Sequence, residues 1–123
     1  PASPRVRWRG ASPGPDHAFA EIDILCVPSK AEAFPLVIVE AMARGLPVIS
    51  SAVGSVPDLL DNGKAGVLVE PVTAAAWAAA LRPIIQDPTR LTALAETGAR
   101  RAAELYTVDA MTDAYETAIA AAR

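Results

Sequence analysis

The sequence predicts an α/β protein: a parallel sheet flanked by helices and followed by a helical tail. Two observations carry this. Apolar runs of strand length, Ile24 to Val27 (ILCV), Pro47 to Ser50 (PVIS) and Val67 to Val69 (VLV), alternate with helical segments, and strands alternating with helices at this spacing build parallel sheets. From Thr73 onward the chain is rich in alanine, the residue that loses least side-chain entropy in a helix.

Taken in order, Val6 and Trp8 alternate with arginines, the pattern of an edge strand with one wet face. Gly10 to Pro15 (GASPGP) is a turn-rich loop and Asp16 to Asp23 a short helix. Ile24 to Val27 is apolar throughout and stopped by Pro28, as expected of a strand buried on both faces. Ser29 to Ala33 leads into a helix from Phe34 to Arg44, which Gly45 terminates. Pro47 to Ser50 is the next strand, then Gly54 and a helical turn at Val56 to Leu60. Asp61 to Gly66 (DNGKAG) is a tight turn before the strand Val67 to Val69. The tail reads as three helices: Thr73 to Gln86 with Thr73 as N-cap, Pro88 to Leu105, and Val108 to Ala122.

A chain of 123 residues with 52% hydrophobic content holds enough apolar material for one domain, not for two with a cleft between them. The net charge of -3 leaves no basic patch to neutralise a polymer of phosphates, so nucleic acid is excluded as a partner. The one cysteine, Cys26, cannot form an internal disulfide and reads as a small buried hydrophobe in its strand. No run reaches the roughly eighteen apolar residues of a membrane span, and no apolar h-region follows the proline-rich start. The expected location is the cytoplasm, including the inner face of a membrane.

The candidate chemistry lies around the helix Phe34 to Arg44. Leu36, Val37, Ile38, Val39, Ala41 and Met42 cover every face of it, which predicts a buried helix. Glu40 is the exception, and a carboxylate there needs an acceptor for its charge. Two explanations stand side by side: an i,i+4 pair with Arg44, or two ribose hydroxyls lying along the helix. The second has context. A helix N-terminus beyond the carboxyl end of a parallel strand is a site for a diphosphate, and Glu32 sits in the loop leading to it. A carboxylate beside a bound anion suits sugar hydroxyls better than phosphate.

The string from Pro28 to Leu60, PSKAEAFPLVIVEAMARGLPVISSAVGSVPDLL, resembles the signature of the glycosyl transferases group 1, a large GT-B family. Phe34, Leu36, the EAMA run from Glu40 to Ala43, Gly45, Pro47, Val48 and Gly54 stand in register with it, and DNGKAGVLVEP from Asp61 to Pro71 extends the likeness. The resemblance implies an incomplete Rossmann-like sheet, the C-terminal, donor-binding half of a GT-B enzyme. It implies transfer of a sugar from a nucleotide-sugar co-substrate to an acceptor, with retention of configuration and without a metal or other cofactor. Residue by residue, Glu32 matches the catalytic-site glutamate that contacts the transferred sugar, and Glu40 the one that binds the ribose. Phe34, Pro35, Leu36 and Val37 match the segment lining diphosphate and sugar, and Gly10 and Ala11 the loop passing the base. His17 is expected at the surface.

The sequence departs from the family at Ala33 and Pro35, where glycines often flank the phenylalanine, and at Ser55, where a second glycine often stands. Pro35 has no N–H to donate to phosphate, and Ser55 weakens the case for close sugar contacts in its loop. Lys30 is read as a solvated loop lysine. Residues 1–123 are therefore expected to be part of a nucleotide-sugar-binding domain, without the acceptor domain or the opening strands. A noncatalytic nucleotide-binding or assembly module of the same fold, and a sugar-nucleotide epimerase, are weighed against this reading; the intact Glu32 and Glu40 favour the transferase. In a sheet of order 3-2-1-4-5-6, the strand at Val6 and Trp8 would be strand 3 and Ile24 to Val27 strand 4. The open edge of strand 4 predicts a homodimer or a swapped arrangement.

Overall fold

A computed structural model describes residues 3–123. Its centre is a parallel sheet of three strands in the order β1 (Leu25–Val27), β2 (Val48–Ser51), β3 (Val67–Val69). The register pairs Leu25 with Val48, Cys26 with Ile49 and Val27 with Ser50, then Ile49 with Val67, Ser50 with Leu68 and Ser51 with Val69. Every residue of β2 is buried, as befits the middle strand of a sheet covered on both faces.

Side-chain alternation divides the core in two. On one face Val27 and Val48 pack with Ile38, Ala41 and Met42 of α2 (Leu36–Ala43) and with Val56 and Leu59 of α3 (Val56–Leu59). Phe19 of α1 (Pro15–Ala20) and Ala102 of α5 (Arg90–Leu105) complete that side. On the other face Ile49 and Val69 meet Ile84 of α4 (Ala74–Gln86) and Leu91 of α5. Gly98 lets α5 cross α2 closely: a Cβ there would stand 3.2 Å from the Ala65 carbonyl oxygen and 3.5 Å from Met42 Cγ.

The helix ends follow local chemistry. The Thr73 hydroxyl accepts from the Ala76 N–H at 3.2 Å and opens α4, as expected, and Thr107 does the same for α6 (Val108–Ala121) through Ala110 at 3.1 Å. Gly45, at φ +69°, follows the C-terminus of α2. The turn after α3 is a short 3-10 element at Asp61–Gly63, with Asp61 and Asn62 in the left-handed region.

Three expectations are corrected. Val6 and Trp8 are not a strand; both are exposed, Trp8 by 86%, because no strand among the described residues lies beside them to complete a ladder. The sheet thus holds strands 4 to 6 of the predicted order and not strand 3. Strand β1 is not buried on both faces: Cys26, on the edge strand of the sheet, is exposed, while partial burial still pushes its thiol pKa up from the ordinary value. Helix α2 is not buried all round either. Ile38, Ala41 and Met42 are buried in the core and Val39 packs partly against it, while Leu36 is 64% exposed because no other element packs over that face.

Candidate functional site

The loops that leave the carboxyl ends of β1 and β2 meet each other, at the position where open α/β sheets hold ligands. Residues 28–35 follow β1 and residues 52–55 follow β2. They are in backbone contact: a Cβ on Gly54 would stand 1.8 Å from the Glu32 carbonyl oxygen, and Gly54 has φ +55°. Only glycine meets both demands. Beside it, the Ser55 N–H donates to the Ala33 carbonyl at 3.2 Å, and the Ser55 hydroxyl donates to the same oxygen. The loop carrying Glu32 is thereby fastened to the loop after the central strand.

Helix α2 starts directly after this loop. Pro35 is its N-cap, with extended backbone and no side-chain cap, and its carbonyl accepts from the Ile38 N–H at 3.1 Å. The N–H groups of Leu36 and Val37 have no partner among the described residues. No acidic side chain occupies the first turn, so the positive end of the helix faces solvent uncompensated. Pro35 lies before this turn rather than in it, and is buried.

Glu40 stands one turn further along, on the same side as Leu36 and Val37 by helical spacing, and is half-buried. Its carboxylate makes no ion pair with any described cation. Of the two explanations for Glu40, the i,i+4 pair with Arg44 is absent from the structure. The Arg44 guanidinium donates instead to the Glu40 backbone carbonyl at 2.9 Å and to the Asp16 carboxylate, and lies over the Phe19 ring at 4.8 Å. Glu32 is likewise half-buried and free of ion pairs among the described residues. Both glutamates are left with unused acceptor capacity near an open helix N-terminus.

Phe34 is half-exposed and braced from behind. Its ring meets Tyr106 edge-to-face, with centroids 6.1 Å apart, and Arg101 lies over Tyr106 at 5.9 Å. Arg101 also donates to the carbonyls of Leu59 at 3.2 Å and Asp58 at 2.8 Å, closing the C-terminal end of α3. Gly10 and Ala11 lie elsewhere. They line a concavity of about 310 Å³ with Arg9, His17 and Glu21, and none of Glu32, Phe34, Leu36, Val37 or Glu40 shares it. His17 is exposed, as expected. Among the described residues no group of three His, Cys, Asp or Glu side chains is arranged to hold a metal ion, and no helix is long and apolar enough to cross a membrane.

With this geometry in place, comparison with known proteins is direct. The family model described as Glycosyl transferases group 1 matches residues 2–101, which include both glutamates and both loops. The chain belongs to this family. It is 39% identical over 124 residues to D-inositol 3-phosphate glycosyltransferase 1 of Catenulispora acidiphila, covering 97% of this chain and 30% of that protein. It is 36% identical over 121 residues to D-inositol 3-phosphate glycosyltransferase of Corynebacterium kroppenstedtii, covering 94% of this chain and 27% of the relative. The chain thus spans less than a third of the length of these relatives.

Solved structures agree on the fold. Sucrose-phosphate synthase from Thermosynechococcus elongatus superposes with a TM-score of 0.71 at 36% identity, covering 85% of this chain and 27% of that one. The C-terminal domain of a glycosyl transferase group 1 family protein from Francisella tularensis gives a TM-score of 0.69 at 26% identity, covering 84% and 53%. The three-stranded parallel sheet with its flanking helices is that of a GT-B C-terminal domain.

Within the glycosyl transferases group 1 family, the departure at Ser55 acquires a structural role. Ser55 spends its N–H and its hydroxyl on the Ala33 carbonyl, bracing the Glu32 loop. Tyr106 and Arg101 are the supporting residues that sequence reasoning missed. Their contacts reach across from the end of α5, and nothing local in the sequence marks them.

Proposed function

We propose that this chain is the donor-binding part of a glycosyltransferase that moves a sugar from a nucleotide-sugar to an acceptor, with retention of configuration. The observation that carries the reading is the open N-terminus of α2, with Glu32 held just before it and Glu40 one turn beyond. The diphosphate of the donor would accept from the Leu36 and Val37 N–H groups, where the helix dipole favours negative charge. Glu40 would accept the ribose hydroxyls along the helix, and Glu32 the hydroxyls of the transferred sugar, each by charge-assisted hydrogen bonds. Phe34 and Pro35 would wall the sugar side. Gly10 and Ala11, which line a separate concavity, are assigned to the base side of the donor.

The reading includes no resident metal or cofactor. It also includes a second, acceptor-binding domain and the cations that neutralise the diphosphate, both contributed by the longer enzyme. The isolated chain is accordingly expected to bind donor weakly and to show no turnover; measurable transfer by this chain alone would overturn that part of the proposal. In the longer enzyme, Glu32→Gln should abolish most activity, because an amide cannot accept hydroxyl protons as a carboxylate does. Unchanged turnover of Glu32→Gln at saturating donor would remove Glu32 from the site.

A further inference from the structure

Helix α2 begins without a side-chain cap, because Pro35 at its N-cap carries no group to accept from the first free N–H. A hydrophobic residue just before the N-cap fixes the angle at which a chain enters its helix when it packs against a neighbour. Phe34 holds that position. Its neighbour is Tyr106, met edge-to-face with centroids 6.1 Å apart and ring planes at 75°. Tyr106 is firmly placed. Its N–H donates to the Ala102 carbonyl at 3.0 Å where α5 ends, its side chain packs against the core that includes Ile38, Met42 and Leu59, and Arg101 lies over its ring at 5.9 Å. Arg101 is held in turn by the carbonyls of Leu59 and Asp58, with Asp61 4.0 Å away. Those carbonyls belong to α3, which follows directly on Gly54 and Ser55. The loop after β2 therefore reaches the entrance of α2 by two routes: directly through Ser55 and Ala33, and indirectly through Arg101, Tyr106 and Phe34.

We propose that Tyr106 is a positioning residue for the donor site: through the Phe34 ring it sets the entry angle of α2, and with it the direction of the Leu36 and Val37 N–H groups. The inference rests on the donor-binding reading above, in which those two groups meet the diphosphate. Tyr106 itself touches no substrate. Hydrogen bonds weaken steeply as an N–H turns off line, so a small rotation of the first turn lowers affinity without unfolding the helix. A tyrosine that only filled the core would change stability, and its loss would add to that of an independent group in the site. A positioning tyrosine acts through Phe34, so removing either ring removes the same contact. The contact is made between rings, which leaves the Tyr106 hydroxyl no part in it.

The test is calorimetric titration of the longer enzyme with UDP, GDP and ADP, the tightest of the three then serving as the probe, at a temperature where circular dichroism shows every variant folded. Tyr106→Leu should weaken binding about five-fold, the scale of one aromatic pair, and Phe34→Leu by a similar factor. The double variant should bind no more weakly than either single one, since both remove one contact. Tyr106→Phe, which keeps the ring, should stay within about two-fold of the parent. Arg101→Met, which removes the anchor and keeps the packing of the stem, should weaken binding about two-fold through the same route and gives the same readout where Tyr106→Leu does not fold. Glu40→Ala separates this proposal from the reading beneath it. Affinity lost in Glu40→Ala but kept in Tyr106→Leu and Arg101→Met overturns the positioning role alone, as do losses that add in the double variant, or a Tyr106→Phe as weak as Tyr106→Leu. Affinity indifferent to Glu40→Ala, or no binding of any of the three nucleotides by the parent, overturns the donor-binding reading and the proposal with it.

Discussion

Replacing Gly54 with alanine would put a Cβ 1.8 Å from the Glu32 carbonyl oxygen and 2.8 Å from its carbon, at φ +55°. To restore a spacing of 3.0 Å the two loops must part by about 1.2 Å. The left-handed backbone alone costs alanine about 1–2 kcal/mol, and relieving an overlap of this kind adds roughly 1–3 kcal/mol. The expected loss of stability is therefore about 2–5 kcal/mol, a large share of a small domain's total. Parting the loops also undoes the Ser55 contacts, since the 3.2 Å bond to Ala33 lengthened by that amount is no longer a hydrogen bond. Urea unfolding of the Gly54→Ala chain should show a lower midpoint with unchanged slope, and hydrogen exchange should rise in residues 28–35 and 52–55. In the longer enzyme a displacement near 1 Å at Glu32 should lower turnover by about a hundred-fold. A variant within about 0.5 kcal/mol of the parent, with unaltered exchange in both loops, would refute the close approach of Gly54 to Glu32 on which this reasoning rests.

Glu40→Ala should weaken donor binding by about 1.5–3 kcal/mol, the scale of a lost charge-assisted bond. Arg44→Ala should leave donor affinity unchanged and cost about 1 kcal/mol of stability by releasing Phe19 and Asp16; calorimetry showing equal losses of affinity in both would count against Glu40 as a donor ligand. The two buried serines of β2 should respond oppositely. The Ser50 hydroxyl bonds the Val27 carbonyl at 3.3 Å and the Ser51 carbonyl at 3.2 Å, so Ser50→Ala should cost about 1 kcal/mol. The Ser51 hydroxyl is buried without a partner among the described residues, so Ser51→Ala should be neutral or stabilising by up to about 1 kcal/mol. Thermal melts in the reverse order would show that Ser51 has a partner in solution.

The strands at Leu25–Val27, Val48–Ser51 and Val67–Val69 and the helices after Thr73 were legible because their signals are local: apolar runs between turns, a threonine cap, a terminating glycine. The placement of Glu32 before a helix N-terminus was legible for the same reason. What failed was burial. Apolarity on every side of Leu36–Ala43 and of Leu25–Val27 was read as cover on every side, yet Leu36, Val37 and Cys26 are open. A hydrophobic side chain states a preference for cover and does not supply the element that provides it. The strand at Val6 and Trp8 failed likewise, since alternation marks a strand only where a neighbour exists to pair with it.

By itself, then, the sequence determined the order of strands and helices, the caps that bound them, and the family to which the segment from Pro28 to Leu60 points. Those follow from backbone preferences and side-chain periods that act within a few residues. Only the tertiary structure decided that Gly54 must be glycine because Glu32 lies against it, that Ser55 holds Ala33, and that Arg44 serves α1 rather than the Glu40 carboxylate. Each of those contacts joins residues far apart in the chain. Close packing selects them, and no period in the sequence encodes which distant atoms will meet.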